Sequence, residues 1–256
     1  MRGVATDMRT RSAHQVHHSV IACVAGGVLL LTGCSGAKVT TKASNELPRY
    51  HVKTMAVLPF TTIGTPQMRD QGDPYLSTPQ GVRRSDISVG VQSNVEPPPR
   101  QTVTVPSSAA EKVTQLFWAR LRNRPGLVTV SPGEAGKAAA ALGGATAKLM
   151  PEKAAADVAV KLKADAVLIG QVLVYQERVG SRLGANPPAS VGFEVKVVAA
   201  DGQVLWVGNY YERQRPMTED FLGFIHRWSF VTANELAEYG VEKVLDEFPF
   251  GTGGVN

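Results

Sequence analysis

Hydrophobic and polar positions alternate most cleanly in the last third of the chain. Val191, Phe193, Val195 and Val197 share one face of an extended segment and Glu194 and Lys196 share the other, which is the two-residue period of a half-buried strand. Asp201-Gly202 is a hairpin signal. Val204 to Tyr211 is predicted to return antiparallel, with Leu205 and Trp206 on opposite faces. Ahead of this hairpin, Ala166 to Val179 opens with Val167, Leu168 and Ile169 and then alternates, as in a central strand whose far end emerges into solvent. Gly180 to Pro188 makes the connection between the two. Lys53 to Phe60 reads as the first strand, with Met55 to Leu58 apolar and Pro59 closing it, and Leu127 to Val130 as a further short one.

Helical spacing governs the rest. Val113, Leu116, Phe117 and Leu121 predict a helix from the Ser108-Ala109-Ala110-Glu111 capping box to about Asn123, stopped by Pro125-Gly126. Glu134 to Leu142 and Pro151 to Lys163 follow as two helices, with Pro151 in the first turn. Met217 to Trp228 and Thr232 to Phe248 complete the set, the latter behind a Thr232-Ala233-Asn234-Glu235 capping box and carrying Leu236, Tyr239, Val244, Leu245 and Phe248. Thr61 to Pro106 differs in kind, since it holds seven of the 16 prolines, among them Pro97-Pro98-Pro99. It reads as a long irregular excursion. Within it Ile87, Val89 and Val91 alternate, and Thr102 to Val105 is expected to pair with them as a loose hairpin. The sum is an α+β fold, a mixed β-sheet with helices packed on it, in the order β, excursion, α, β, α, α, β, β, β, α.

The amino terminus has another logic. Arg2, Arg9 and Arg11 precede an apolar run from Val20 to Leu31, a signal-peptide layout too short for a transmembrane helix, which needs ~20 apolar residues. The run ends in Leu31-Thr32-Gly33-Cys34, and these four residues resemble the lipobox of bacterial lipoprotein precursors. Leu31 fills an apolar subsite, small Thr32 and Gly33 open the backbone to a peptidase, and the Cys34 thiol is the nucleophile for a diacylglycerol. The resemblance implies cleavage before Cys34 and a triacylated, palmitate-type amino terminus, which exceeds the two-signal threshold for stable anchoring. It also implies, with Ser35 following the lipidated cysteine, the periplasmic face of the cell outer membrane. The expected organisation is a signal peptide at 1–33, a lipidated tether at 34–52, one periplasmic domain at 53–250 with its excursion at 61–106, and a Gly-rich tail at 251–256.

Composition narrows the partners. The chain has 256 residues, 43% hydrophobic and 19% charged, which excludes collagen, coiled coil and a largely disordered chain. From Cys34 onward it carries 24 basic and 21 acidic residues, a net +3, too small an excess to point to nucleic acid. Cys23 leaves with the signal peptide and Cys34 becomes a thioether, so neither a disulfide nor thiolate chemistry is expected.

Three stretches, Ala56-Val57-Leu58-Pro59-Phe60, Ala164-Asp165-Ala166-Val167-Leu168-Ile169-Gly170 and Asp201-Gly202-Gln203-Val204-Leu205-Trp206, resemble one family of folds. It is shared by the amino-terminal domain of the Tol-Pal translocation protein, the curli-export lipoproteins and the lipoprotein activators of peptidoglycan synthases.

Catalytic candidates are few. Past the signal peptide only His51 and His226 remain among histidines, with no Cys/His/carboxylate cluster for a metal, so neither metal nor cofactor is expected. Gly133 to Ala138 superficially resembles a phosphate loop but lacks the spacing and the hydroxyl that magnesium requires. Glu177, Glu194, Glu212, Glu219 and Asp220 pair on paper for glycosidic chemistry, yet each suits a strand end or a helix first turn. Aromatic residues crowd the carboxy-terminal part, 12 of 17 lying after residue 165. Tyr210, Tyr211, Phe224, Trp228 and Phe230 cannot all point into one core, which makes them candidate partner-binding residues. The expected function is therefore non-enzymatic: a membrane-anchored module that binds an envelope protein or assembles with itself. The alternatives are a subunit of a curli-export-type outer-membrane pore, which needs strands of ~9 to 11 residues, and a cell-wall hydrolase.

Overall fold

The computed structural model describes residues 38–68, 102–143, 150–214 and 229–251. In chain order these form β1 (Val39–Ala43), β2 (Thr54–Val57), β3 (Thr61–Thr62), β4 (Gln67–Met68), β5 (Thr102–Val103), α1 (Ser107–Leu121), β6 (Val128–Val130), α2 (Pro132–Ala140) and α3 (Pro151–Leu162). The chain continues with β7 (Ala166–Gln176), β8 (Gly180–Ser181), β9 (Gly184–Ala185), β10 (Ser190–Ala199), β11 (Val204–Arg213) and α4 (Ala233–Asp246). The lipobox, the strand expected around Ile87 to Val91 and the helix expected at 217–228 lie outside the described residues.

Seven strands make one mixed sheet in the order β1-β11-β10-β7-β2-β6, with β3 also paired to β7. β2 is parallel to both β6 and β7, whereas β7, β10, β11 and β1 are joined antiparallel. The chain moves outward from β2 to β6 through α1 and then back past β2 to β7 through α2 and α3. Right-handed crossovers in opposite directions put their helices on opposite faces. The expected α+β class holds, with four helices on the sheet.

The larger core lies under α1 and α4. Val191, Phe193, Val195 and Val197 are all buried there, as their alternation predicts. Its rings run across the sheet: Phe60 to Phe117 at 5.3 Å, Phe117 to Phe193 at 5.5 Å, Phe193 to Tyr210 at 5.3 Å and Trp206 to Phe248 at 5.0 Å. Under α2 and α3 the second core is built of Ala135, Ala138, Ala155 and Ala159 against Ala56, Val167 and Val198.

Three expectations need correction. The stretch assigned to a tether already belongs to the sheet, because β1 pairs with β11 from Val39 opposite Tyr210 to Ala43 opposite Trp206. As a largely exposed edge strand, Val39-Thr40-Thr41-Lys42-Ala43 carries no apolar alternation to announce it. Leu205 and Trp206 enter the same core rather than opposite faces. The register jumps from Val197–Trp206 to Val198–Val204, leaving Leu205 as the extra residue of a bulge, and a bulge breaks the strict alternation of sides. The first capping box does not form: Pro106 is the N-cap, with ψ 143°, and the helix starts at Ser107, so Ser108 sits inside its first turn. β5 pairs with β4 through Gln67–Val103 and Met68–Thr102, while the partner expected for it around Ile87 to Val91 lies outside the described residues. The second capping box does form, with Thr232 Oγ1 accepting from Glu235 N and the Glu235 carboxylate accepting from Thr232 N at 2.8 Å.

Candidate functional site

β11 delivers its last residues to alternate faces of the sheet. Tyr210 points inward at 2% exposure and donates its hydroxyl to Glu212 Oε2 at 2.7 Å. Tyr211 is 57% exposed on the other face, its ring over Gly192, where a Cβ would stand 2.9 Å from Cδ2. The β4–β5 pair projects beside this end of the sheet. Between them lies a groove of about 350 Å³, lined by Gln67, Met68, Val103, Thr104, Val105, Val174, Tyr175, Gln176, Ser190, Tyr211 and Arg213. Its lining mixes apolar Met68, Val103, Val105 and Val174 with polar Gln67, Thr104, Gln176, Ser190 and Arg213.

Among the aromatic candidates within the described residues, only Tyr211 lies on this groove. Tyr210 and Phe230 are core residues, the latter 6% exposed. Gln214 explains Phe230: its Nε2 donates to Ser229 O at 2.8 Å and its Oε1 accepts from Val231 N at 2.9 Å, which fastens the chain on both sides of the ring. Phe224 and Trp228 lie outside the described residues. Val103, Thr104 and Val105 lie in a stretch expected to be extended, whereas Gln67 and Met68 of β4 had no signal in the sequence, since a two-residue strand shows no period.

The acidic candidates hold structural posts. Glu177 Oε2 accepts from Ala233 N at 3.1 Å at the start of α4. Glu194 Oε1 lies 3.2 Å from Lys196 Nζ. Glu212, 5% exposed, is paired with Lys38 Nζ at 3.1 Å. Glu219 and Asp220 lie outside the described residues, as does His226, and His51 is exposed. Gly133 to Ala138 are turns of α2 rather than a phosphate loop, with Ser131 as the N-cap. The Tyr175 hydroxyl is buried without a hydrogen-bond partner among the described residues. Burial, and then the Glu177 and Glu238 carboxylates, push its pKa above the ordinary tyrosine value, which opposes a phenolate. Among the described residues no group of three His, Cys, Asp or Glu is placed to hold a metal, and no helix is long and apolar enough to cross a membrane.

No family model matches the chain, and no curated protein does. Among solved structures it is similar to the PelC dodecamer from Paraburkholderia phytofirmans, at 13% identity and a TM-score of 0.40 over 81% of this chain and 93% of that one. It is similar to lipoprotein GNA1162 from Neisseria meningitidis, at 12% identity and 0.39 over 77% and 99%. A third is the LpoB C-terminal domain from Salmonella enterica, at 13% identity and 0.33 over 64% and 85%. All three likenesses are distant.

Proposed function

We propose that this protein is a lipid-anchored, non-enzymatic lipoprotein of the cell outer membrane whose periplasmic domain binds an envelope protein or further copies of itself. The address rests on Leu31-Thr32-Gly33-Cys34 behind a basic flank and an apolar run. The binding role rests on Tyr211, a largely exposed ring on the wall of a groove, where aromatic side chains supply much of the affinity of protein interfaces.

The test combines intact mass, melting and recovery of partners from detergent-solubilised envelope. The wild type should be acylated at Cys34 and Cys34→Ala should not. Tyr211→Ala should keep stability within about 0.5 kcal/mol and lose the co-purifying protein or the self-assembled mass. Unchanged recovery at matched folded protein removes the groove from the reading. A large ring by native mass, with residues 61–106 protected from protease in lipid but not in water, selects the pore instead. Hydrolysis of cell-wall glycan by the purified protein selects the hydrolase.

A further inference from the structure

We propose that the tip of the β8–β9 hairpin is a second contact with the phospholipid surface, entering the same bilayer that holds the lipid on Cys34. This rests on the anchor reading above and adds to it a defined orientation of the domain.

The register supplies the geometry. Val39 lies opposite Tyr210 with the strands antiparallel, so going back along the chain from Lys38 leads toward the Arg213 end of β11. Gln176 of β7 and Arg213 of β11 both pair with Ser190 of β10 at that same end, and the segment 177–189 with its β8–β9 hairpin connects β7 to β10 there. Lys38 lies only four positions after Cys34, and four steps of extended chain span at most ~14 Å. A lipid on Cys34 therefore keeps this end of the sheet close to the bilayer.

The hairpin presents Leu183 there. It is 90% exposed, the highest value among large apolar side chains of the described residues, and Val179 nearby is 54% exposed. The turn is held rather than loose. Gly180 has φ +120°, and a Cβ there would stand 2.4 Å from Gly184 O, so the two short strands close on each other. Arg182 O accepts from Phe230 N at 2.8 Å, and Arg182 Nη2 pairs with Glu235 Oε1 at 2.6 Å. These bonds fasten one side of the tip to the domain and leave the leucine facing outward.

Charge permits the approach. Lys38, Arg178, Arg182 and Arg213 share this end with Glu177, Glu212, Glu235 and Glu238. Lys38 is paired with Glu212, Arg182 with Glu235, and Glu177 accepts from the amides of Ala233 and Arg178. The charges at this end balance, so no net negative field opposes anionic headgroups. One leucine binds a bilayer weakly, yet an anchor a few residues away holds it at high effective concentration, so a weak contact suffices to orient the domain.

The experiment uses the full lipidated protein in vesicles of phosphatidylethanolamine and phosphatidylglycerol. Leu183→Cys and, as the far-end control, Gln203→Cys in the exposed β10–β11 turn each take an environment-sensitive dye, because the Cys34 thioether does not react. The expected result is a blue-shifted label at 183 quenched severalfold more by brominated lipid than the label at 203. A dye on Val179→Cys with Leu183 intact should behave likewise, and adding Leu183→Glu should reduce its quenching. Equal, water-like signals at 183 and 203 on acylated, vesicle-bound protein overturn the hairpin contact alone. An unacylated Cys34, or protein that fails to float with the vesicles, overturns the anchor and the hairpin contact together.

Discussion

The Tyr210 ring lies so close to the backbone of Gly240 that a Cβ at 240 would stand 2.4 Å from two ring carbons. The ring cannot step aside, being packed on Phe193 at 5.3 Å and tied through its hydroxyl to Glu212. This contact is how α4 docks on β11.

Gly240→Ala therefore sets two effects against each other. Alanine favours a helix interior over glycine by about 1 kcal/mol, whereas forcing a methylene into a packed site costs roughly 1 to 3 kcal/mol. The expected outcome is a net loss, read as a lower urea midpoint. Pairing it with Tyr210→Leu should recover part of that loss, since the two residues are in contact and will not behave additively.

Thr114 links α1 to the end of β2. Its hydroxyl donates to Ala110 O at 2.7 Å and accepts from Phe60 N at 2.9 Å. Thr114→Val keeps the shape but leaves a buried amide unpaired, at a cost of about 1 to 3 kcal/mol. Thr114→Ser should retain most of the stability in thermal melts.

Arg124 closes the carboxy-terminal end of α4. Nε donates to Phe250 O at 2.7 Å, Nη2 to Phe248 O at 2.8 Å and Nη1 to Leu245 O at 3.2 Å. Arg124→Met should cost about 2 kcal/mol, the scale of hydrogen bonds from a charged donor. Arg124→Lys should not restore it, because a single ammonium cannot reproduce the fork that reaches three carbonyls. Amide exchange at the end of α4 is the measurement.

The Lys196 ammonium ties β10 to α3, 3.0 Å from Glu152. Its hydrogen bond holds the Glu152 carboxyl below the ordinary carboxylate value, and the same bond raises Lys196. A lowered carboxylate contributes stability above its unfolded value of about 4.3 that fades as pH falls through the lower folded value. A raised lysine contributes below about 10.4 and fades as pH rises through its higher folded value. Glu152→Gln should flatten part of both limbs of the melting curve against pH, with Glu194 retaining some of the alkaline part, and Lys196→Met should also flatten part of both. The changes will be small, because the pair is half-exposed.

Elements that bury one complete face were legible in the residues. β10 announced itself through Val191, Phe193, Val195 and Val197, and α4 through its capping box and apolar stripe. The missed features share a physical cause, which is that local pattern does not fix them. β1 is a polar edge strand held by ladder bonds to β11, and the two-residue strand β4 is too short to show a period. At Ser108 the helix was right and its cap was wrong, because the break in the backbone falls at Pro106, two residues earlier. In the candidate site, the opposite facing of Tyr210 and Tyr211 followed from strand alternation, and the structure decides which face is covered. Phe230 is buried through Gln214, a partner 16 positions away that no local pattern could reveal.

β1 also has a mechanical consequence. Its ladder bonds to β11 lie across the strand axis, so a pull on Lys38 along that axis strains the rungs from Val39 to Ala43 together. The Lys38–Glu212 pair stands at the loaded end and the Ser44 N to Leu205 O bond, 2.8 Å, at the far end. Tension arriving from the amino terminus is borne in shear by the whole strand and passed into the centre of the sheet. Peeling, which breaks one rung at a time and needs far less force, would require a sideways pull.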